Sequence, residues 1–170
     1  MKGYYYTTKI GKLFIAEDDR GIAVVSIVKD TMPDLEATEA SAGRDRLFSC
    51  ETEETPLIRQ TAKELMEYLD GIRKEFTIAL NPKGTEFQKR VWEALRAIPY
   101  GETRSYKQIA EAVGNKNASR AIGMANHNNP IMCIIPCHRV IGANGSLVGY
   151  AGGLDTKAAL LSLEQKNGSN

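Results

Sequence analysis

Residues 134–140 read Ile-Ile-Pro-Cys-His-Arg-Val, placing a cysteine and a histidine side by side within an apolar run. Such a run reads as a buried strand, and polar side chains inside one are costly unless they have a role. Identity alone does not make the pair chemical, because free cysteine is among the most buried residue types and an isolated histidine is often a satisfied core side chain. The surroundings add weight. Pro136 fixes the backbone ahead of Cys137, and residues 142–153, GANGSLVGYAGG, form a glycine-rich stretch with a tyrosine that reads as the wall of a pocket.

Upstream, the pattern is helical. Thr85-Glu86-Phe87-Gln88 fits a capping box, opening a helix with Phe87, Val91, Ala94, Leu95 and Ile98 on one face that stops before Pro99. Ser105-Tyr106-Lys107-Gln108 is a second box, opening a short helix that packs Ile109, Ala110 and Val113 and ends at Gly114. Asn117 is expected to cap a third helix, with Ala118, Ala121, Ile122 and Ala125 as its buried stripe. Joined by Gly114-Asn115-Lys116, the last two helices form a helix-turn-helix of the kind that lays its second helix against DNA. Small Ala118 and Ser119, followed by Arg120, would let that backbone approach a groove while one long cation reaches further in.

Nearer the N-terminus, residues 4–9, 12–18 and 22–29 (YYYTTK, KLFIAED, IAVVSIVK) read as three strands in meander order, divided by Gly11 and the Asp18-Asp19-Arg20-Gly21 turn. The polar stretch from Asp30 to Glu54 reads as a long irregular connection, with Cys50 an ordinary thiol. Thr55 and Pro56 then open a helix with the stripe Ile58, Ala62, Leu65 and Leu69, ended by Gly71. Residues 76–80, FTIAL, read as another strand, and Asn81-Pro82-Lys83-Gly84 as a domain boundary. The fold class is therefore α+β, with a small N-terminal domain of antiparallel sheet plus helix over residues 1–80. A mostly helical C-terminal domain with the helix-turn-helix fills 81–170.

Composition limits the alternatives. The chain has 170 residues, 42% hydrophobic and 25% charged, with no apolar run near the length a membrane span needs and no signal-peptide pattern at its start. A cytoplasmic protein with no membrane partner is expected. Cys50, Cys133 and Cys137 are too few and wrongly spaced for a disulfide framework or a zinc knuckle. Residues 1–80 carry 11 Lys and Arg against 15 Asp and Glu, a net of −4, whereas residues 81–170 carry 11 against 6, a net of +5. The C-terminal part is the one suited to a polyanion.

Taken in order, SYKQIAEAVG, NASRAIGMANHNNP, IPCHRVI, GYAGG and a closing helix ending in Leu163-Glu164 resemble the O6-alkylguanine-DNA alkyltransferases, the methylated-DNA–protein-cysteine methyltransferases. The likeness covers about residues 84 to 165; residues 1–80 match the layout of that family's N-terminal domain, a ribonuclease H-like one. It implies a monomer without cofactor that binds double-stranded DNA through the minor groove and rotates an alkylated guanine out of the stack. It then moves the O6-alkyl group irreversibly to its own cysteine, with O4-alkylthymine as a second candidate substrate. By the same resemblance Cys137 is the nucleophile and His138 takes its proton, through a water because neighbours on an extended strand point to opposite faces. Glu164 orients the imidazole and Asn129 pins the turn beneath the cysteine. Tyr106, Val140, Tyr150, Ala151 and Gly152 hold the flipped base, Ala118 and Ser119 line the groove with Tyr106, and Arg120 fills the vacated space.

Three departures accompany the likeness. Ala151 stands where some relatives carry a serine, which removes a hydroxyl but leaves the backbone N–H. Asn126-His127-Asn128 replaces a glycine and a basic residue found in many relatives. Some relatives hold zinc in the N-terminal domain, whereas residues 1–49 here contain neither Cys nor His, so no metal is expected. His127, at a polar helix end, is not expected to be the base, and Cys133 reads as buried packing. Two other classes compete: a non-catalytic binder of alkylated DNA, which the presence of Cys137 argues against, and a regulator, which would leave Cys137, His138 and Glu164 without a joint explanation.

Overall fold

A computed structural model of the chain describes residues 1–28 and 50–168. Three strands, β1 (Lys2–Thr8), β2 (Gly11–Asp18) and β3 (Gly21–Val28), form the expected antiparallel meander. A two-residue strand β4 (Glu51–Thr52) lies parallel to β1, giving the order β3-β2-β1-β4. It occupies the described end of the expected irregular connection; the rest of that connection up to residue 49 lies outside the described residues. Helix α1 (Pro56–Leu69) begins with the Thr55 hydroxyl accepting from the Ile58 N–H at 3.1 Å and buries Ile58, Ala62 and Leu65 in a core shared with Leu13, Ile15 and Ile22.

Residues 76–80 do not form the expected strand. The Thr77 N–H and hydroxyl both turn to the buried Glu64 carboxylate of α1 instead of to a ladder partner. Only Leu80 reaches the sheet, through one parallel bridge to Ile22, with the Ile22 N–H on the Ala79 carbonyl at 2.9 Å and the Asn81 N–H on the Ile22 carbonyl at 2.7 Å. Gly21 permits this close approach, since a Cβ there would lie 2.7 Å from the Ala79 oxygen.

The C-terminal half is built from α2 (Glu86–Arg96), α3 (Tyr106–Ala112), α4 (Ser119–His127) and α5 (Leu154–Gly168). Both capping boxes are complete: Thr85 and Ser105 each accept from the N–H three residues on, and Gln88 and Gln108 reach back. Helix α4 starts later than expected. The Asn115 side chain accepts from the Asn117 N–H and the Asn115 carbonyl from the Ala118 N–H, so residues 115–118 form a turn and Ala118, not Asn117, is the N-cap. Ala118, Ile122 and Ala125 are buried as expected, but Ala121, at the edge of that stripe, is exposed. Trp92 locks α2 to α4 by donating its indole N–H to the Ala125 carbonyl at 3.0 Å. A two-residue parallel pair, β5 (Arg104–Ser105) with β6 (Val140–Ile141), places the start of α3 beside the segment that follows Cys137.

The two halves share a seam. The outer edge of β3 continues into residues 130–132: the Val25 N–H donates to the Pro130 carbonyl at 2.8 Å and the Met132 N–H to the Val25 carbonyl at 3.0 Å. A sheet edge that would otherwise present unpaired backbone groups is used to hold the chain just ahead of Cys137. Among the described residues no helix is long and apolar enough to cross a membrane.

Ile131 is fully buried in that seam. Ile131→Ala is expected to cost about 2–5 kcal/mol in urea unfolding followed by Trp92 fluorescence, in a single transition in which both halves melt together. A cost below about 1 kcal/mol, or two separated transitions, would contradict a shared core.

Candidate active site

The stretch expected as a buried strand is buried but not extended. Residues 131–139 run as consecutive tight turns. The Ile134 N–H donates to the Met132 carbonyl around Cys133, whose φ of 66° is the one positive value at a non-glycine among the described residues. Such a backbone costs roughly 1–3 kcal/mol and persists only where its surroundings impose it. Pro136, at φ −83° and ψ 64°, forms an inverse γ-turn with the Cys137 N–H on the Ile135 carbonyl at 2.8 Å. One turn of 3₁₀ helix, Cys137–Arg139, follows. Asn129 holds this path together: its carbonyl oxygen accepts from the Ile131 N–H, and its amide N–H donates to the Ile135 carbonyl at 2.9 Å and to the Cys137 Sγ at 3.2 Å. Proline geometry and an asparagine that saturates backbone groups supply what a strand ladder would have supplied.

The 3₁₀ turn sends His138 and Arg139 inward to Glu164 of α5. Glu164 and His138 are 1% and 0% exposed, so the carboxylate must be neutralised inside the protein. Its Oε1 accepts from His138 Nε2 at 2.8 Å, from the Tyr68 hydroxyl of α1 at 2.6 Å and from Arg139 Nη2 at 2.9 Å. Its Oε2 accepts from Arg139 Nε at 2.9 Å and from the Gly101 N–H at 3.3 Å. Arg139 thus grips the carboxylate with two parallel bonds and gives a third N–H to the Ile98 carbonyl at 2.7 Å. Burial pushes the Glu164 carboxyl up, and the hydrogen bonds from His138 and Arg139 outweigh it, holding it at about 2.

An ionised carboxylate facing Nε2 fixes the proton there. The tautomer is therefore Nε2–H, and Nδ1 carries the lone pair; Nδ1 is buried and has no hydrogen-bond partner. Burial lowers the His138 pKa, against the opposing pull of Glu164, so the ring is neutral at neutral pH. Burial also raises the Cys137 thiol, opposed by the Asn129 amide, the Lys157 charge and nearby backbone N–H groups. A protonated thiol lies next in the chain to a neutral imidazole with a free nitrogen, and Asn129, Lys157 and those N–H groups are ready to favour negative charge on sulfur. That arrangement suits a nucleophile deprotonated on demand.

Cys137 opens onto a cleft of about 510 Å³. The expected residues Tyr106, Ser119, Arg120, Tyr150 and Ala151 line it with Cys137. Met124, His127 and Val148 are also on its walls. Val140, Gly152 and Ala118 are not on its walls: Val140 is fully buried, Gly152 packs near Tyr150 and Ile27, and Ala118 is the buried N-cap of α4. Asn129, His138 and Glu164 lie behind the cysteine. Tyr106 donates its hydroxyl to the Val148 carbonyl at 2.9 Å, tying α3 to the glycine-rich loop. Cys133, fully buried near Tyr150, has its thiol pushed up by burial, in keeping with a packing role.

Two site residues escaped the sequence reading. Lys157 of α5 buries its ammonium against the carbonyls of Val140 at 2.6 Å, Val148 at 3.2 Å and Gly149 at 3.3 Å, holding both sides of the loop that walls the cleft. Tyr68 reaches the His138–Glu164 pair from the N-terminal half. Each lies on the buried face of its helix, Lys157 with Leu160 and Glu164, Tyr68 with Leu65 and Leu69, and a polar group at helical spacing from such core positions is the signal that could have found them. Among the described residues no group of three or more His, Cys, Asp or Glu is placed to hold a metal ion.

Two family models between them match most of the chain. Residues 1–82 match the family model for the 6-O-methylguanine DNA methyltransferase ribonuclease-like domain, and residues 86–166 that for the 6-O-methylguanine DNA methyltransferase DNA binding domain. The chain is 45% identical over 163 residues to the methylated-DNA–protein-cysteine methyltransferase of Methanosarcina acetivorans, covering 95% of this chain and 97% of that one. It is 43% identical to the constitutive enzyme of that name from Bacillus subtilis, covering 95% of each. The crystal structure of Mycobacterium tuberculosis OGT in complex with DNA superposes with a TM-score of 0.82 at 38% identity, over 98% of this chain and 94% of that one. The chain belongs to the 6-O-methylguanine DNA methyltransferase family.

Proposed function

We propose that this protein repairs DNA by taking an alkyl group from the O6 of guanine onto Cys137, once per molecule, acting as a monomer on duplex DNA. The observation that carries the reading is the buried neutral His138 with its Nδ1 free, next to a thiol that opens onto a base-sized cleft. In the displacement, His138 Nδ1 takes the Cys137 proton through a bridging water. The sulfur attacks the alkyl carbon, the carbon–O6 bond breaks, and the guanine leaves as its anion, which takes up the proton that the His138 imidazolium gives back through water. Glu164 stabilises the imidazolium, and Asn129 stabilises the thiolate through its amide N–H. No group restores the cysteine after the thioether forms.

A guanine O6 inside the duplex cannot reach a buried thiol, so the base must be extruded, which costs a few kcal/mol. Arg120, exposed on the first turn of α4 at the mouth of the cleft, suits insertion into the space the base vacates. In this reading residues 81–170 act as the transferase domain, α3 and α4 as its helix-turn-helix in the minor groove, and residues 1–80 as a supporting domain. Ser119 and the backbone at Ala118 face the groove, and Tyr106, Tyr150 and Ala151 enclose the base. O4-alkylthymine is the second substrate that this enclosure suits.

A fluorescent O6-benzylguanine derivative should label the wild-type protein once, on Cys137, and should leave Cys137→Ala unlabelled while its DNA affinity stays within about threefold. Labelling of folded Cys137→Ala would overturn the assignment. Arg120→Ala should slow transfer from alkylated duplex by about 10- to 100-fold, because flipping loses its wedge, while the rate with the free benzylguanine probe is unchanged. Equal slowing with both substrates would remove the intercalating role.

The pH dependence follows from the shifts. His138 lies below its ordinary 6.5, so the ring can still accept a proton at pH 6.5, and probe labelling should fall only below that value. Stability has the same sign. A histidine depressed in the folded state contributes stability that is complete above 6.5 and lost as pH falls below it, and Glu164 adds a second loss between 4.5 and about 2. Urea midpoints measured from pH 8 to 4 should decline on the acid side, and a midpoint rising toward pH 5 would contradict a buried neutral His138.

A further inference from the structure

We propose that Tyr68, carried by α1 in the N-terminal half, is a positioning residue for the transfer: its hydroxyl sets the Glu164 carboxylate and, through it, the His138 tautomer that leaves Nδ1 free. The proposal deepens the reading above and rests on it for its link to catalysis. Its geometry stands alone. The Tyr68 oxygen is 2.6 Å from Glu164 Oε1 and 3.2 Å from His138 Nε2, which itself lies 2.8 Å from the same Oε1. Three polar atoms share two protons in this triangle. Arg139 keeps Glu164 ionised, so the carboxylate can only accept; the Tyr68 proton goes to Oε1, and the Tyr68 oxygen is left as a second acceptor for the Nε2–H. Both acceptors facing Nε2 therefore favour the same tautomer.

The tyrosine is built to stay there. It is fully buried, and its ring meets Phe76 at 5.4 Å and Tyr100 edge-on at 6.1 Å between centroids. The titratable or charged groups around Tyr68 and His138 are Glu164 and Lys157 on α5, Arg139 and the Cys133 and Cys137 thiols on the turn segment, Tyr100 after α2, and Tyr150 in the glycine-rich loop. Among them Tyr68 is the neutral donor that draws on the charge of Oε1. Without its hydroxyl, that oxygen concentrates more negative charge on the imidazole. His138 then becomes more basic and holds a proton at pH values where the wild-type ring is free to accept one.

The test uses the full chain, whose two histidines, His127 and His138, make imidazole nitrogen resonances simple to assign. In Tyr68→Phe the His138 titration, followed by ¹⁵N NMR, should move up by about one pH unit, the size expected when a hydrogen bond to a charged group is lost. The acid limb of benzylguanine labelling should move up with it. Leu65→Ala, which loosens α1 without touching the triangle, is the control for packing and should leave both unchanged. If Tyr68→Phe does not fold, the wild-type protein still decides: a slowly exchanging Tyr68 hydroxyl proton with a cross-peak to the His138 ring supports the proposal, and its absence overturns it. An unshifted His138 in folded Tyr68→Phe, or an equal shift in Leu65→Ala, also overturns it. Failure of the wild-type protein to accept benzyl would instead count against the transferase reading, and the NMR result would stand apart from it.

Discussion

The carboxylate of Glu164 is a full negative charge with almost no contact with water, and three separate segments contribute donors to it. Helix α1 sends the Tyr68 hydroxyl, the turn after α2 sends the Gly101 N–H, the 3₁₀ turn sends His138 and Arg139, and α5 provides the carboxylate itself. A buried charge stripped of a partner costs several kcal/mol, so none of these segments can drift without penalty. The N-terminal half is therefore joined to the chemistry twice, by the β3 seam that fixes the backbone ahead of Cys137 and by Tyr68 behind it.

The strained backbone at Cys133 fits the same logic. A chain of tight turns, held by Asn129 and by the β3 edge, presents one sulfur to the cleft while its own N–H and carbonyl groups are satisfied from behind. Lys157 does the corresponding work on the opposite wall, where three carbonyls converge on its ammonium. A nucleophile used once has no need to be ionised at rest. Burial keeps the Cys137 thiol protonated and the His138 ring neutral, and a protonated thiol is less prone to oxidation than a thiolate.

Much of this was legible in the sequence. The strand meander, both capping boxes, the Thr55–Pro56 helix start and the grouping of Cys137, His138, Glu164 and Asn129 could be read there, because local hydrogen-bond chemistry and a specific motif carry them. The errors share a physical cause, which is competition between local pattern and a partner distant in sequence. FTIAL has strand composition, but Glu64 takes the hydrogen bonds of Thr77. IIPCHRV has the apolar content of a strand, but Pro136 and Asn129 fold it into turns. Asn117 is a good capping residue, but the Asn115 side chain captures its N–H first. Tyr68 and Lys157 stayed hidden because their partners are 96 and 17 residues away.

The role proposed for the buried His138–Glu164 pair is to make Cys137 a single-use acceptor for an alkyl group on DNA. Its most direct test is the intact mass and peptide map of the protein after incubation with excess duplex DNA carrying O6-methylguanine. The protein should gain one methyl group, located on Cys137, that does not increase with time or with further DNA. Unmodified protein, a methyl group on Cys50 or Cys133, or more than one repaired base per chain would contradict it.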